Sequence, residues 1–287
     1  MMKKKSILDF HKMKENSEKV AWMTAYDYPM ASFAEQAGID MILVGDSLGM
    51  IVMGYDGTIP VTMDDCISHC QSVRRGAPNT FVIGDMPFGS YQASDEDAVN
   101  NAVRFLKEAN VDAIKLEGGV RVASRISSIV DAGILVFGHI GLTPQSSGVL
   151  GGFKAQGRTV ESAKGVIEDA LAVYKAGAHC LLIEGVPSEI TKFIHELLPI
   201  PVYSIGAGID CDGQLLICGD MLGMFQNFTP KFVKKYADIA GASIEGIKNY
   251  ISDVKELNFP EDKHCYHVTD GIENYAGLFE EYKNKVK

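Results

Sequence analysis

The chain has 287 residues, 46% of them hydrophobic, and a formal net charge of −10. That is enough apolar material for a sizeable core, in one large domain or two small ones. The acidic balance argues against nucleic-acid or anionic-membrane partners, which select basic surfaces. No apolar run of signal-peptide length follows the basic N-terminus MMKKKSILDFHKMKEN, and no stretch approaches transmembrane length. The cysteines Cys66, Cys70, Cys180, Cys211, Cys218 and Cys265 form no CxxC pair, which predicts reduced thiols in a cytoplasmic protein. Cys66, His69 and Cys70 could share a helix face, but no fourth metal ligand lies nearby.

Taken in chain order, one theme repeats. An Ala/Gly-rich helix end leads into a short apolar strand, and the strand stops at a polar or charged residue. VAWMTAYD opens the series, followed by EQAGIDMILVGDS, TFVIGDMP, KEANVDAIKLEGG, VDAGILVFGHIG, YKAGAHCLLIEGV and IPVYSIGAG. Helical stretches fall near 64–75, 95–109, 121–132 and 160–177, with Gly38, Gly133 and Gly177 where helix C-terminal glycines belong. GQLLICGDML supplies an eighth strand or the start of a helix. Strand–helix alternation means a parallel sheet, either open or closed as a (β/α)₈ barrel, and the count and length favour the barrel. With no linker-like segment, residues 1–287 are expected to form one domain with an N-terminal helix and a C-terminal helical tail ending FEEYKNKVK.

In such a barrel, chemistry sits at the C-terminal ends of the strands. Those ends read Tyr26 and Asp27, Asp46 and Ser47, Asp85, Lys115 and Glu117, His139, Glu184, and Ser204. Residues two apart on a strand share a side, which pairs Lys115 with Glu117 and puts Asp46 in step with Ile42 and Val44. Asp46 ends a buried apolar strand, where an unpaired carboxylate is costly. Converging Asp46, Asp85 and Glu117 would offer hard oxygen ligands suited to Mg²⁺. A 2-oxo acid could chelate that ion through its keto oxygen and one carboxylate oxygen, with Lys115 pairing the remaining charge. A metal on a carbonyl oxygen stabilises an enolate, and Glu184 is free to act as base.

Taken singly, each acid reads more simply as a helix cap or a surface ion pair. The recurring strand context favours the site. GGFKAQGRT has near P-loop spacing, but Arg158 replaces the lysine and no buried strand feeds it, so it reads as a Gly-rich loop or lid rather than a nucleotide cradle. SIGAG (204–208) is either an anion-binding turn or ordinary packing. Trp22 and the scattered methionines read as core filling.

The stretches TAYDYPMASFAEQAGIDMILVGDSLGM, VRRGAPNTFVIGDMPF, IKLEGG, GHIGLTPQS, GGFKAQGR, LLIEGVP and IGAGIDCDGQLLICGDMLGM span nearly the whole chain. Together they closely resemble the ketopantoate hydroxymethyltransferase family. The resemblance implies a (β/α)₈ TIM barrel of the phosphoenolpyruvate/pyruvate type and a Mg²⁺-dependent enzyme. The implied reaction carries a one-carbon unit from 5,10-methylenetetrahydrofolate to 3-methyl-2-oxobutanoate, giving 2-dehydropantoate for pantothenate biosynthesis. By motif position it makes Asp46, Asp85 and Glu117 metal ligands and Glu184 the proton acceptor. Asp46, Ser47, Asp85, Lys115 and His139 become substrate contacts. It also implies a cytoplasmic homo-oligomer, often a decamer. The chain departs from the family pattern at Gly185, where some members carry Cys, and at HCYH (264–267), where Ser-Phe-His is common. The main rival is another Mg²⁺-dependent lyase or hydrolase of the same superfamily, acting on a 2-oxo acid.

Overall fold

The computed structural model describes residues 4–285. The first three residues of the basic N-terminus and the last two of the predicted tail lie outside the described residues. The chain divides into two compact units, Met1–Ala237 and Asp238–Lys287. The first unit is a closed barrel of eight parallel strands in sequence order. They are β1 (Val20–Thr24), β2 (Met41–Val44), β3 (Phe81–Asp85), β4 (Ala113–Glu117), β5 (Val136–Gly141), β6 (Cys180–Glu184), β7 (Val202–Ile205) and β8 (Gly213–Leu216). β8 closes on β1 through the pairs Val20–Gly213 to Met23–Leu216. GQLLICGDML supplies both things expected of it: the eighth strand, then the short helix Cys218–Met221.

The larger helices of this unit are α1 (Ile7–Glu15), α2 (Tyr28–Ala37), α3 (Met63–Gly76), α4 (Asp95–Ala109), α5 (Ala123–Asp131), α6 (Val160–Lys175) and α7 (Ser188–Leu197). Their starts follow from local chemistry. Asp27 accepts the Met30 N–H and Pro29 sits in the first turn of α2; Thr62, Ser94 and Thr159 likewise cap α3, α4 and α6. Asp27, one of the strand-end acids, is therefore a helix cap. The second unit holds α8 (Ile239–Lys255) and α9 (Ala276–Lys283), and neither helix contains a buried residue. No helix among the described residues is long and apolar enough to cross a membrane.

Strand alternation divides the first unit's core into two layers. Ile42, Val44, Val82, Ile114, Leu116, Leu181 and Ile183 pack outward with helix residues such as Ile67, Phe105, Ile126 and Val173. Trp22, Leu43, Phe81, Phe137, Leu182 and Tyr203 fill the barrel. Burial on both faces is why the strands read as unbroken apolar runs. Inside, the odd-numbered strands β1, β3, β5 and β7 contribute Trp22, Phe81, Phe137 and Tyr203. Trp22 meets Tyr203 at 5.3 Å and Phe137 at 6.2 Å; Phe81 meets Phe137 at 6.2 Å. Such layers of four side chains from alternate strands are the usual filling of this barrel. Phe10 of α1 meets Phe81 edge-on at 5.2 Å and so seals the N-terminal end.

At that end a second pattern recurs. The residue just before each even-numbered strand accepts a backbone N–H from the start of the preceding strand. Asp40 takes Ala21 N–H at 2.8 Å and Asp112 takes Val82 N–H at 2.9 Å. His179 Nδ1 takes Val136 N–H at 3.3 Å and Asp212 takes Val202 N–H at 2.8 Å. Each aspartate is also balanced by cations: Lys5 for Asp40, Lys4 and Arg74 for Asp112, and Lys14 for Asp212, which also bonds His195 Nε2 at 2.8 Å.

Burial works to raise the Asp212 carboxyl, but the Val202 N–H, Lys14 and His195 outweigh it and hold the group below its ordinary 3.8. Its contribution to stability is thus present above the unfolded pKa and is lost as pH falls through the folded one. Asp212→Ala should destabilise the fold by about 3 kcal/mol at pH 7, because it strands Lys14 and a backbone donor. Urea titrations of both proteins should show the gap closing toward pH 3. A gap that stayed constant with pH would show that the carboxylate's charge contributes nothing.

Candidate functional site at the C-terminal mouth of the barrel

The inward set continues past the aromatic layer into charged residues. Phe81 and Ile83 lead to Asp85, Ala113 to Lys115 and Glu117, Phe137 to His139, and Leu182 to Glu184. Register fixes their neighbours: Asp85 pairs with Lys115, and Glu117 with His139. All line one cavity of about 1050 Å³, together with Asp46 and Ser47. Asp46 arrives differently. Its alternation partners Ile42 and Val44 face the helices, so a continued strand would aim it away from the mouth. The strand ends at Val44 instead, and the chain turns at Gly45. The Asp46 N–H then donates to Asp85 Oδ2 at 3.0 Å, and Gln145 Nε2 donates to Asp46 Oδ2 at 2.9 Å. Neither Asp46 nor Ser47 caps the short helix that follows. The Ser47 hydroxyl lies 2.8 Å from that of Tyr26.

Asp46, Asp85, Lys115, Glu117 and His139 are each at most 4% exposed. Lys115 Nζ stands 2.8 Å from Asp85 Oδ1, 3.6 Å from Glu117 Oε1 and 3.3 Å from His139 Nδ1. Burial works to neutralise this lysine, but Asp85, Glu117 and Asp46 together raise it above its ordinary value. Burial, then repulsion from Asp85 and Glu117, lifts Asp46 well above the usual carboxylate range. Burial also raises Asp85 despite the pull of Lys115. Glu117 is held low: burial opposes its charge, but Lys115, His139 and the Gln145 N–H outweigh it. His139 lies between two acids, with Nδ1 3.5 Å from Glu117 Oε1 and Nε2 3.2 Å from Glu184 Oε2. Burial and Lys115 disfavour its charge, yet these contacts bring it up to about 9. Glu184 is the more open acid, with a side chain 15% exposed. Gly141, at φ +89°, lets the ends of β5 and β6 approach there: a Cβ would collide with the Glu184 carbonyl.

The donor set fits a hard divalent cation by its chemistry. Three buried carboxylates share one ammonium, and Asp85 Oδ1 has no aligned hydrogen bond. Asp46, Asp85 and Glu117 are the residues that could hold the ion. Among the described residues, no three acidic, His or Cys side chains already stand in ligating positions; Lys115 occupies the centre of the cluster.

Two further residues tie the cluster together. Gln145 donates its backbone N–H to Glu117 Oε2 at 3.0 Å, while its amide spans Asp46 and the Met86 carbonyl. Tyr91 donates to Gln145 Oε1 at 2.6 Å and accepts the Glu117 N–H at 3.1 Å. Neither follows from strand periodicity, since Tyr91 sits on a loop and Gln145 in the 3₁₀ turn Pro144–Ser146. Gln145 lay inside GHIGLTPQS as one of several polar residues, with nothing to single it out. Ser204 is buried and accepts the Ala207 N–H at 3.0 Å within its own turn. The Gly-rich loop contributes Phe153, Ala155 and Arg158 to the cavity wall. His69 bonds the Tyr26 carbonyl, and Cys66 and Cys70 are buried in the helix layer.

The family model for ketopantoate hydroxymethyltransferase matches residues 4–262. The 3-methyl-2-oxobutanoate hydroxymethyltransferase of Alkaliphilus metalliredigens is 69% identical over 99% of this chain and all of its own. That of Bacillus velezensis is 52% identical over 93% of this chain and 97% of its own. Among solved structures, phosphonopyruvate hydrolase with oxalate and Mg²⁺ aligns over 98% of both chains, with a TM-score of 0.59 and 10% identity. 2,3-Dimethylmalate lyase, of the PEP mutase/isocitrate lyase superfamily, aligns over 100% of this chain and 99% of its own, with a TM-score of 0.57 and 16% identity. These structures share the (β/α)₈ barrel fold expected from the sequence, and this chain is an enzyme belonging to the ketopantoate hydroxymethyltransferase family.

Proposed function

We propose that the protein joins the one-carbon unit of 5,10-methylenetetrahydrofolate to C3 of 3-methyl-2-oxobutanoate, with water supplying the hydroxyl, to give 2-dehydropantoate and tetrahydrofolate for pantothenate biosynthesis. The observation that carries this reading is the cluster of Asp46, Asp85 and Glu117 around Lys115, with Glu184 beside it in one cavity. A Mg²⁺ ion held by Asp46, Asp85 and Glu117 would polarise the keto group and so acidify C3. Lys115 pairs with the ketoacid carboxylate, and Ser47 offers a hydroxyl at the wall. Glu184 removes the C3 proton, and the resulting enolate carbon attacks the one-carbon unit. His139, held between Glu117 and Glu184, orients the base and steadies its charge. Six free thiols support the proposed cytoplasmic setting, in which the family resemblance suggests a homo-oligomer.

Three outcomes are expected. Chelation should abolish product formation and added Mg²⁺ should restore it; full activity in excess chelator would remove the metal from the scheme. Lys115→Met should raise KM for the ketoacid about tenfold or more, the loss of one charge-assisted contact. It should also lower stability by about 3–5 kcal/mol, since it leaves buried acids unpaired. An unchanged KM would reassign the carboxylate contact. Given ketoacid and Mg²⁺ alone in D₂O, the enzyme should exchange the C3 proton, read by NMR. Glu184→Gln should slow that exchange by about 10²- to 10⁴-fold, the usual cost of losing a general base. If exchange survived in Glu184→Gln and failed in His139→Gln, the base would be His139. A product made without any folate would favour a lyase-type reaction instead.

A further inference from the structure

The cavity extends beyond the acidic cluster. At about 1050 Å³ it lies at the top of the range of roughly 300–1,000 Å³ that suits a drug-sized ligand, whereas the ketoacid is a five-carbon molecule. Its outer wall is built by the chain after β8. Asp220, Phe225, Phe228, Lys231 and Phe232 line the cavity, as do Phe153 and Arg158 of the Gly-rich loop. Asp220 is 4% exposed, yet its carboxylate has no hydrogen bond or ion pair among the described residues. Burial raises it to about 6, with only partial relief from the charge of Lys235. A carboxylate that lines a cavity without a protein partner needs donors from water or from a ligand in that cavity.

The surroundings restrict what that ligand is. Phe225 and Phe228 meet edge to face at 5.5 Å, and Phe228, Phe153 and Phe232 keep ring surface exposed. The Phe232 ring sits over Gly206, at φ +65°, where a Cβ would collide with it. Flat aromatic walls select a flat ring system. Lys231 and Arg158 also line the cavity and have no ion-pair partner among the described residues. The wall therefore offers an acceptor pair, stacking faces and unpaired cations.

We propose that Asp220 recognises the donor edge of a 2-amino-4-oxopteridine, accepting from its 2-amino group and N3–H, while the phenylalanines hold the ring and Lys231 and Arg158 meet its acidic tail. This subsite rests on the folate reading above and names the residues that would serve it. The ring enters neutral and the carboxylate enters charged, so two charge-assisted hydrogen bonds replace the missing partners.

The test is a double cycle on binding, read by calorimetry with the intact protein. Tetrahydrofolate and its 2-desamino-2-methyl analogue are titrated into the parent protein and Asp220→Asn. The parent should prefer tetrahydrofolate by on the order of 10- to 100-fold, as expected for a hydrogen bond to a charged group. In Asp220→Asn the preference should shrink toward one. A variant that weakened both ligands equally would overturn the assignment and make Asp220 structural. A variant that kept the full preference would overturn it while leaving folate as co-substrate. A parent that bound neither ligand would overturn both the subsite and the folate reading. Lys231→Met gives an independent arm: it should weaken tetrahydrofolate but leave a tail-less tetrahydropterin unchanged, and equal losses would remove the tail contact.

Discussion

Lys115 is one ammonium shared among three buried carboxylates. In a site this dry, each acid is pushed toward protonation by burial, and each repels the others. Of the three, only Glu117 is held below its ordinary value, because Lys115, His139 and the Gln145 N–H together outweigh burial. Asp46 is raised well above its ordinary value by burial and then by its two acidic neighbours, Asp85 and Glu117. Such an arrangement is poor as a stabilising device, since a packed apolar core would cost less. The barrel tolerates it because the strands beneath are tightly filled and the mouth opens into a cavity. Strain of this kind clusters where a protein binds charged ligands.

The sequence reveals the parts of this site that follow from periodicity. Asp85, Lys115, Glu117, His139 and Glu184 all lie on the inward face of a strand, in step with apolar residues earlier on the same strand. That relation can be read without coordinates. Asp46 has the opposite phase and reaches the cluster only because the chain leaves β2 at Gly45. Gln145 and Tyr91 lie outside the strands, in a short 3₁₀ turn and a loop, where strand spacing carries no direction, so their bridging of Asp46 to Glu117 needed the fold. Asp27 shows the converse limit: it stands at a strand end like the others, yet its neighbour Pro29 marks it as the cap of α2. Asp220 was hidden for another reason. Its significance is the lack of a partner, which no sequence pattern expresses.

The two rims of the barrel use acids in opposite ways. At the C-terminal rim the carboxylates crowd around a single cation and face a cavity. At the N-terminal rim Asp40, Asp112 and Asp212 are spaced apart, each with its own cation and its own backbone N–H. Those acids lock strand pairs together, and burial of their charge is compensated on the spot. The same residue type thus serves rigidity below and chemistry above, and the aromatic layer of Trp22, Phe81, Phe137 and Tyr203 separates the two.

The junction between β5 and β6 is the exception at the lower rim. There the acceptor is His179, not an aspartate, and no cation balances it. To accept the Val136 N–H, Nδ1 must be bare, so the proton resides on Nε2 and the tautomer is fixed. Burial and the nearby His11 hold this imidazole below its ordinary 6.5. The junction is therefore intact at neutral pH and weakens as pH falls through the folded value, when Nδ1 takes a proton and the acceptor is lost. β5 and β6 are the strands that carry His139 and Glu184. Acid that protonates His179 thus withdraws one hydrogen bond from the seam beneath the proposed base, whereas Asp212, held below its ordinary 3.8, still keeps its own.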